Sequence, residues 1–149
     1  MRIHIGSDHA GLELKAELIK HLTSKGHDVT DHGPLVSDAL DDYPVLCFPA
    51  AEAVAKDPSS LGIVLGGSGN GEQMAANKVK GIRAALAWSI ETAKLARDHN
   101  NANVIAVGGR MHEISFVKEI IDTFIASPFS NDERHVRRIK KISDFEDKG

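Results

Sequence analysis

The sequence predicts a single α/β domain over residues 1–149, built as three layers: a five-stranded parallel sheet, helices on both of its faces and a C-terminal helix. Short β-branched runs alternate with longer stretches of helical periodicity, a pattern that implies βαβ units with right-handed crossovers. At 149 residues and 16.1 kDa the chain is long enough to bury a core without disulfides or a structural metal. It carries no repeat at solenoid periods, no low-complexity tract and no linker.

The first strand pattern is Arg2–Ser7, and residues 11–25 follow as a helix with Leu14, Leu18, Ile19 and Leu22 on one face and Gly26 as its stop. Asp28–Asp31 reads as a short strand, and a turn-rich loop punctuated by Gly33-Pro34 and Asp41-Asp42 comes next. The Ala-rich stretch Tyr43–Lys56 is helical, with Pro44 tolerated in its first turn. A buried strand at 61–65 runs into the glycine loop 66–71, followed by a helix at 72–78 and a strand at 83–87. Ser89 is a good N-cap for a helix reaching about Asn100. The last strand, 104–107, leads through Gly108-Gly109 to a helix at Ile114–Ala126 striped by Val117, Ile120, Ile121 and Phe124. Ser127-Pro128 breaks that helix, and 132–145 forms a charged terminal one.

Composition narrows the function class. Apolar residues at 42% and charged ones at 26% exclude a disordered, collagen-like or disulfide-scaffold chain. With aromatics at only 5%, the core must be mainly Val, Ile, Leu and Ala. A net charge of −3 argues against a protein that coats nucleic acid. The single cysteine, Cys47, sits in the apolar run 45–48 and reads as a buried small hydrophobe rather than a nucleophile. One cysteine also fits a reducing compartment. No apolar run approaches the ~20 residues that span a bilayer. The start of the chain goes directly into a strand pattern without signal architecture. The expectation is a cytoplasmic protein with no membrane partner.

The loop Gly66-Gly67-Ser68-Gly69-Asn70-Gly71 lies between a buried strand and a helix, at the carboxyl edge of a parallel sheet, where ligands bind. Its N–H groups can converge on an anion or a developing oxyanion, although a tight turn that only lets strand and helix pack would use the same glycines. The dinucleotide fingerprint fails, because Glu72 stands three residues after Gly69 where a glycine is needed. The polyphosphate frame fails as well, because Glu72 replaces its lysine and would repel a polyphosphate. In a first helical turn Glu72 suits the macrodipole, yet beside N–H donors it also suits proton abstraction next to a carbonyl.

The eight histidines match no metal-ligand spacing: His27 and His32 bracket Asp28 and Asp31 without an H-E-x-x-H pattern, and His21 reads as a solvated helix residue. Asp8-His9 follows the first strand at the ligand-binding edge, where helix capping is as good an account as function. His99, followed by Asn100, closes a helix and on its own is explained by the C-terminal dipole. Arg134 and Arg138 share a helical face and suit a bidentate grip on phosphate, or equally a solvated face paired with Asp132, Glu133 and Asp144. Arg110, after the last strand, is placed to join them.

Six motifs in order now identify a resemblance: Ser7-Asp8-His9-Ala10-Gly11, Asp42-Tyr43-Pro44, Gly66-Gly67-Ser68-Gly69-Asn70-Gly71-Glu72, Ala75-Ala76-Asn77-Lys78, His99-Asn100-Asn101-Ala102-Asn103 and Gly108-Gly109-Arg110. Together they resemble the type B ribose-5-phosphate isomerase family, which also contains the galactose-6-phosphate isomerase subunits. The resemblance runs from the first strand to the terminal helix. It implies a Rossmann-like sheet, a homodimer with active sites at the subunit interface, and no metal or organic cofactor. It also implies interconversion of ribose 5-phosphate and ribulose 5-phosphate through a cis-enediol(ate), a step of the pentose phosphate pathway. Many members carry a cysteine base where this chain has Gly66. The chain is instead similar to the actinobacterial-type subgroup, whose base is a glutamate just after the loop, here Glu72.

The roles this resemblance implies are as follows. His99 assists ring opening, with Asp8 nearby, and Glu72 shuttles the proton between C1 and C2. Ser68 and the N–H groups from Gly67 through Gly69 and Asn70 to Gly71 stabilise the enediolate. Arg134 and Arg138 hold the phosphate with His9 close by, and Asn100 and Arg110 contact the sugar or the phosphate across the dimer. Two other readings fit the same residues: an isomerase of the same mechanism acting on a hexose or tetrose phosphate, and a non-catalytic sugar-phosphate binding module. The second leaves the base without a purpose.

Overall fold

The computed structural model describes residues 1–34, 38 and 40–149. The strand β1 (Arg2–Ser7) leads through a 3₁₀ turn (His9–Gly11) into α1 (Leu12–Ser24), and β2 (Asp28–Asp31) precedes α2 (Tyr43–Lys56). β3 (Leu61–Gly66), α3 (Asn70–Ala76), β4 (Ala84–Leu86) and α4 (Ile90–Asn100) follow. The chain closes with β5 (Val104–Gly108), α5 (Ile114–Ala126) and α6 (Glu133–Glu146). All strand pairs are parallel, and the five strands lie in the order β2-β1-β3-β5-β4. Among the described residues no helix is long and apolar enough to cross a membrane.

Local chemistry sets the element ends. Ser89 caps α4 as the sequence predicts: its Oγ accepts the Thr92 N–H at 3.1 Å, and Thr92 Oγ1 accepts the Ser89 N–H at 3.1 Å. α3 begins two residues before the expected 72, since Gly69 at φ +86° turns the chain into the helix directly. It ends before the expected 78 because the Asn77 amide takes both backbone groups of Ala84, accepting its N–H at 2.8 Å and donating to its carbonyl at 2.9 Å. β4 is shorter than 83–87 because the Arg83 N–H goes to Asn103 Oδ1 at 2.8 Å rather than to a strand partner.

Strand alternation divides the core in two. Ile3, Ile5, Ile63, Leu65, Ile105 and Val107 meet α1, α4 and α5 on one face, with Phe124 fully enclosed among them. Val64, Val104 and Ala106 meet α2 and α3 on the other face through Cys47, Ala50, Ala51, Val54, Ala75 and Ala76, mostly small side chains. The helices leaving β1 and β5 therefore pack on one face and the helix leaving β3 on the opposite one. The carboxyl end of β3 thus has a crevice on either side, the position where such sheets bind ligands. Phe124→Ala leaves a cavity in the larger half-core, and urea unfolding is expected to register a loss of about 3–5 kcal/mol.

Candidate active site

The carboxyl edge around β3 is tied together by backbone hydrogen bonds. The Asp8 N–H donates to the Leu65 carbonyl at 3.2 Å, the Gly109 N–H to Gly66 at 2.7 Å and the Arg110 N–H to Gly67 at 3.1 Å. The glycine loop is thereby pinned between the ends of β1 and β5. Ser68 and Asn70 are exposed on its outer side, and the Asn70 N–H donates to Ser68 Oγ at 3.2 Å.

Glu72 turns back under this loop and is only 4% exposed. Its carboxylate occupies the space directly over the Gly66 Cα, so that any Cβ on residue 66 would coincide with it. Gly66 is therefore a spatial requirement of the Glu72 position. Burial pushes the Glu72 carboxyl above its ordinary range. Its own backbone N–H opposes that shift, and the charge and hydrogen bond of Asp8 reinforce it. Asp8 is itself buried and fixed, with Oδ1 accepting the Ala10 N–H at 2.9 Å and the Gly11 N–H at 3.2 Å. Cys47 lies under the same pair: burial first, then the charges of Glu72 and Asp8, raise its thiol to about 12. It stays a neutral thiol near neutral pH, in agreement with its reading as a packing residue.

Other side chains complete this edge. The Arg110 guanidinium lies over Gly67, with Nη1 3.3 Å from where a Cβ would stand, and no carboxylate among the described residues pairs with it. His9 sits on the 3₁₀ turn, bonded to Asp41. The Tyr43 ring packs against Gly71, with its Oη 2.8 Å from the Cβ position there. Asp41 and Tyr43 are absent from the residues expected at the site. The sequence offered Asp41 as turn punctuation and Tyr43 as the start of a helix and part of the Asp42-Tyr43-Pro44 motif, while in the structure Asp41 meets His9 and Tyr43 meets Gly71.

The remaining expected residues lie elsewhere. α4 carries the chain back from the carboxyl end of β4 to the amino end of β5, so His99 and Asn100 stand at the opposite edge. There the Arg83 side chain donates to the Asn100 carbonyl at 3.0 Å. The His99 ring stacks on buried His135 of α6, centroids 4.5 Å apart. Arg134 and Arg138 flank that residue on exposed positions of α6. Arg137 pairs with Glu133 and Lys140 with Asp144, while Arg134 and Arg138 have no ion-pair partner among the described residues. A strand of six residues separates the two edges by about 20 Å. One chain therefore brings together Asp8, His9, the loop from Gly67 to Gly71, Glu72 and Arg110, and separately His99, Asn100, Arg134 and Arg138. Asp8 is not beside His99, and Arg110 does not join Arg134 and Arg138, within a single copy. Among the described residues no three His, Cys, Asp or Glu side chains converge as metal ligands.

Comparison with known proteins gives the family and the fold. The sequence profile of the family described as Ribose/Galactose Isomerase matches residues 3–142. Ribose-5-phosphate isomerase B of Mycolicibacterium paratuberculosis is 56% identical over 146 residues, covering 98% of this chain and 92% of that protein. The protein of the same name from Mycobacterium tuberculosis is also 56% identical, over 98% of this chain and 90% of its own length. Among solved structures, ribose-5-phosphate isomerase B from Mycoplasma genitalium with bound ribulose-5-phosphate superposes with a TM-score of 0.96 at 46% identity, covering 99% of this chain and 97% of that one. With a matching profile over nearly its whole length and a matching fold around the same sheet edge, this chain belongs to the ribose/galactose isomerase family.

Proposed function

We propose that this protein interconverts D-ribose 5-phosphate and D-ribulose 5-phosphate, with Glu72 as the base that carries the proton between C2 and C1. The observation that carries this reading is the Glu72 carboxylate, buried over Gly66 and held above its ordinary pKa beside a loop of N–H donors. Removing the C2 proton of the open-chain aldose leaves negative charge on O1. The N–H groups of the loop from Gly67 to Gly71, with Ser68, are the donors that receive it. Returning the same proton to C1, as O2 gives its proton to O1, yields the ketose. A carboxylate with a raised pKa is a stronger base for this transfer than a solvated one.

The second half of the site comes from another copy of the chain. His99 assists opening of the furanose ring, and Arg134 and Arg138 hold the phosphate, which explains two exposed guanidinium groups without carboxylate partners. Supporting a homodimer, α6 presents Val136, Ile142 and Phe145 to solvent at 47%, 54% and 76% exposure, with Trp88 at 61% beside the β4 edge. Ile142 and Phe145 lie three apart on one side of α6, and exposed apolar side chains on a terminal helix fit burial against a second copy. His9 and Arg110 lie at the Glu72 edge to meet the substrate, and Asn100 comes with His99. The charge of a sugar phosphate keeps it from crossing membranes, and the reaction accordingly belongs in the cytoplasm.

Four outcomes are expected. Glu72→Gln lowers kcat about 10²–10⁴-fold in a coupled assay of ribose 5-phosphate turnover. The same change stabilises the fold at neutral and higher pH. Because the folded pKa of Glu72 lies above its unfolded value, stability is lost as pH rises from the unfolded pKa to the folded one, and the full cost persists above it. The midpoint of a thermal melt then rises by ~2–4 °C for each kcal/mol relieved.

Asp8→Asn keeps the acceptor for Ala10 and Gly11 but removes the charge beside Glu72. The acid limb of the kcat/KM profile is then expected to move to lower pH, and a limb that stays in place separates Asp8 from the titration. Finally, mixing Glu72→Gln with His99→Asn, each inactive alone, restores about a quarter of wild-type activity when subunits exchange at random. A mixture that remains inactive after dissociation and reassembly rejects a site shared between copies.

A further inference from the structure

We infer that Asp41 is a positioning residue for substrate recognition, acting through His9; the inference rests on the reading above that His9 meets the substrate. Both oxygens of Asp41 are committed to one residue. Oδ2 accepts the His9 backbone N–H at 2.9 Å, and Oδ1 lies 2.9 Å from His9 Nδ1. The Asp41 side chain is 11% exposed, so this bond is shielded from water. Asp41 stands 32 residues away in sequence and reaches His9 from the segment that opens α2. Asp8 accepts the next two N–H groups, of Ala10 and Gly11, so every N–H of the 3₁₀ turn ends on a carboxylate.

A carboxylate can only accept, so the proton of this contact belongs to His9 Nδ1. That fixes the tautomer and the ring plane. Nε2 has no partner among the described residues and is the ring nitrogen left for a ligand, on a side chain that remains 30% exposed. When Nε2 donates to a phosphate oxygen, the imidazole carries a positive charge that Asp41 balances, giving a charge-assisted hydrogen bond with its direction already set. The adjacent Tyr43 rests on Gly71, so residues 41–43 brace the His9 turn and the glycine loop at once.

The direct test is the imidazole Nδ1 proton. Wild type is expected to show a downfield His9 Nδ1–H resonance in proton NMR, assigned by its loss in His9→Ala, and Asp41→Ala is expected to lose it too. In kinetics on ribose 5-phosphate, Asp41→Ala is expected to raise KM about tenfold or more. Its kcat should change less than about threefold, and added to His9→Ala it should raise KM no further.

Titration with inorganic phosphate separates this proposal from the choice of sugar, because weaker phosphate binding in Asp41→Ala and His9→Ala alike supports it even if another sugar phosphate proves to be the substrate. Asp41→Asn, which keeps the size of the side chain, guards against a folding defect and is expected to raise KM as well. An unchanged KM in both variants overturns the proposal. So does an Asp41→Ala effect that is undiminished in the His9→Ala background.

Discussion

The carboxylate of Glu72 fits where it does because residue 66 has no side chain. That one steric condition organises the carboxyl edge of the sheet. It buries an acid within reach of a loop full of N–H donors. It also sets Asp8 close enough to bias the proton on Glu72. A carboxylate left in solvent at the same position would complement the helix and have no reason to be a base. Burial, which is a cost to stability, is also what holds the Glu72 carboxyl above its ordinary range.

The sheet order makes that burial available. Because β3 lies between two strands whose outgoing helices pack on the other face, its end is open on both sides. Asp8 and His9 enter from β1, and Arg110 enters from β5. The small residues facing α2 and α3 let those helices sit close, so the loop is held rigidly from below. The same topology sends α4 back to the far edge, where His99 gathers with Arg134 and Arg138 of α6, which have no ion-pair partner among the described residues.

Much of this was legible in the sequence, for identifiable reasons. Among the described residues the α-helices and strands match the sequence pattern, with α5 (Val117, Ile120, Ile121 and Phe124) and the unbroken apolar run of β3 the least ambiguous, while the 3₁₀ turn at His9–Gly11 is not anticipated by it. Capping chemistry placed the start of α4 at Ser89. The ends of α3 and β4 were less legible, since both depend on Asn77 and Asn103 reaching across to backbone groups distant in sequence. Glu72 stood out because it violates two phosphate-binding patterns, and a violated pattern is itself a chemical signal. Asp41 did not stand out, and Tyr43 did so only within the Asp42-Tyr43-Pro44 motif. An aspartate in a turn and a tyrosine at a helix start have ordinary local explanations, and their contacts with His9 and Gly71 join residues far apart in sequence. The separation of His99 from Glu72 follows from the parallel crossover itself, since a helix between two parallel strands ends at their amino edge, but no local motif at His99 signals it.

The exclusion between a side chain at position 66 and the carboxylate of residue 72 also bears on how such a site can change over generations. Where a relative's base is a cysteine at the first loop position, that thiol and this carboxylate would compete for one small volume. A side chain at position 66 would turn the Glu72 carboxylate out of the place it holds here, so the two positions cannot vary independently without moving that group.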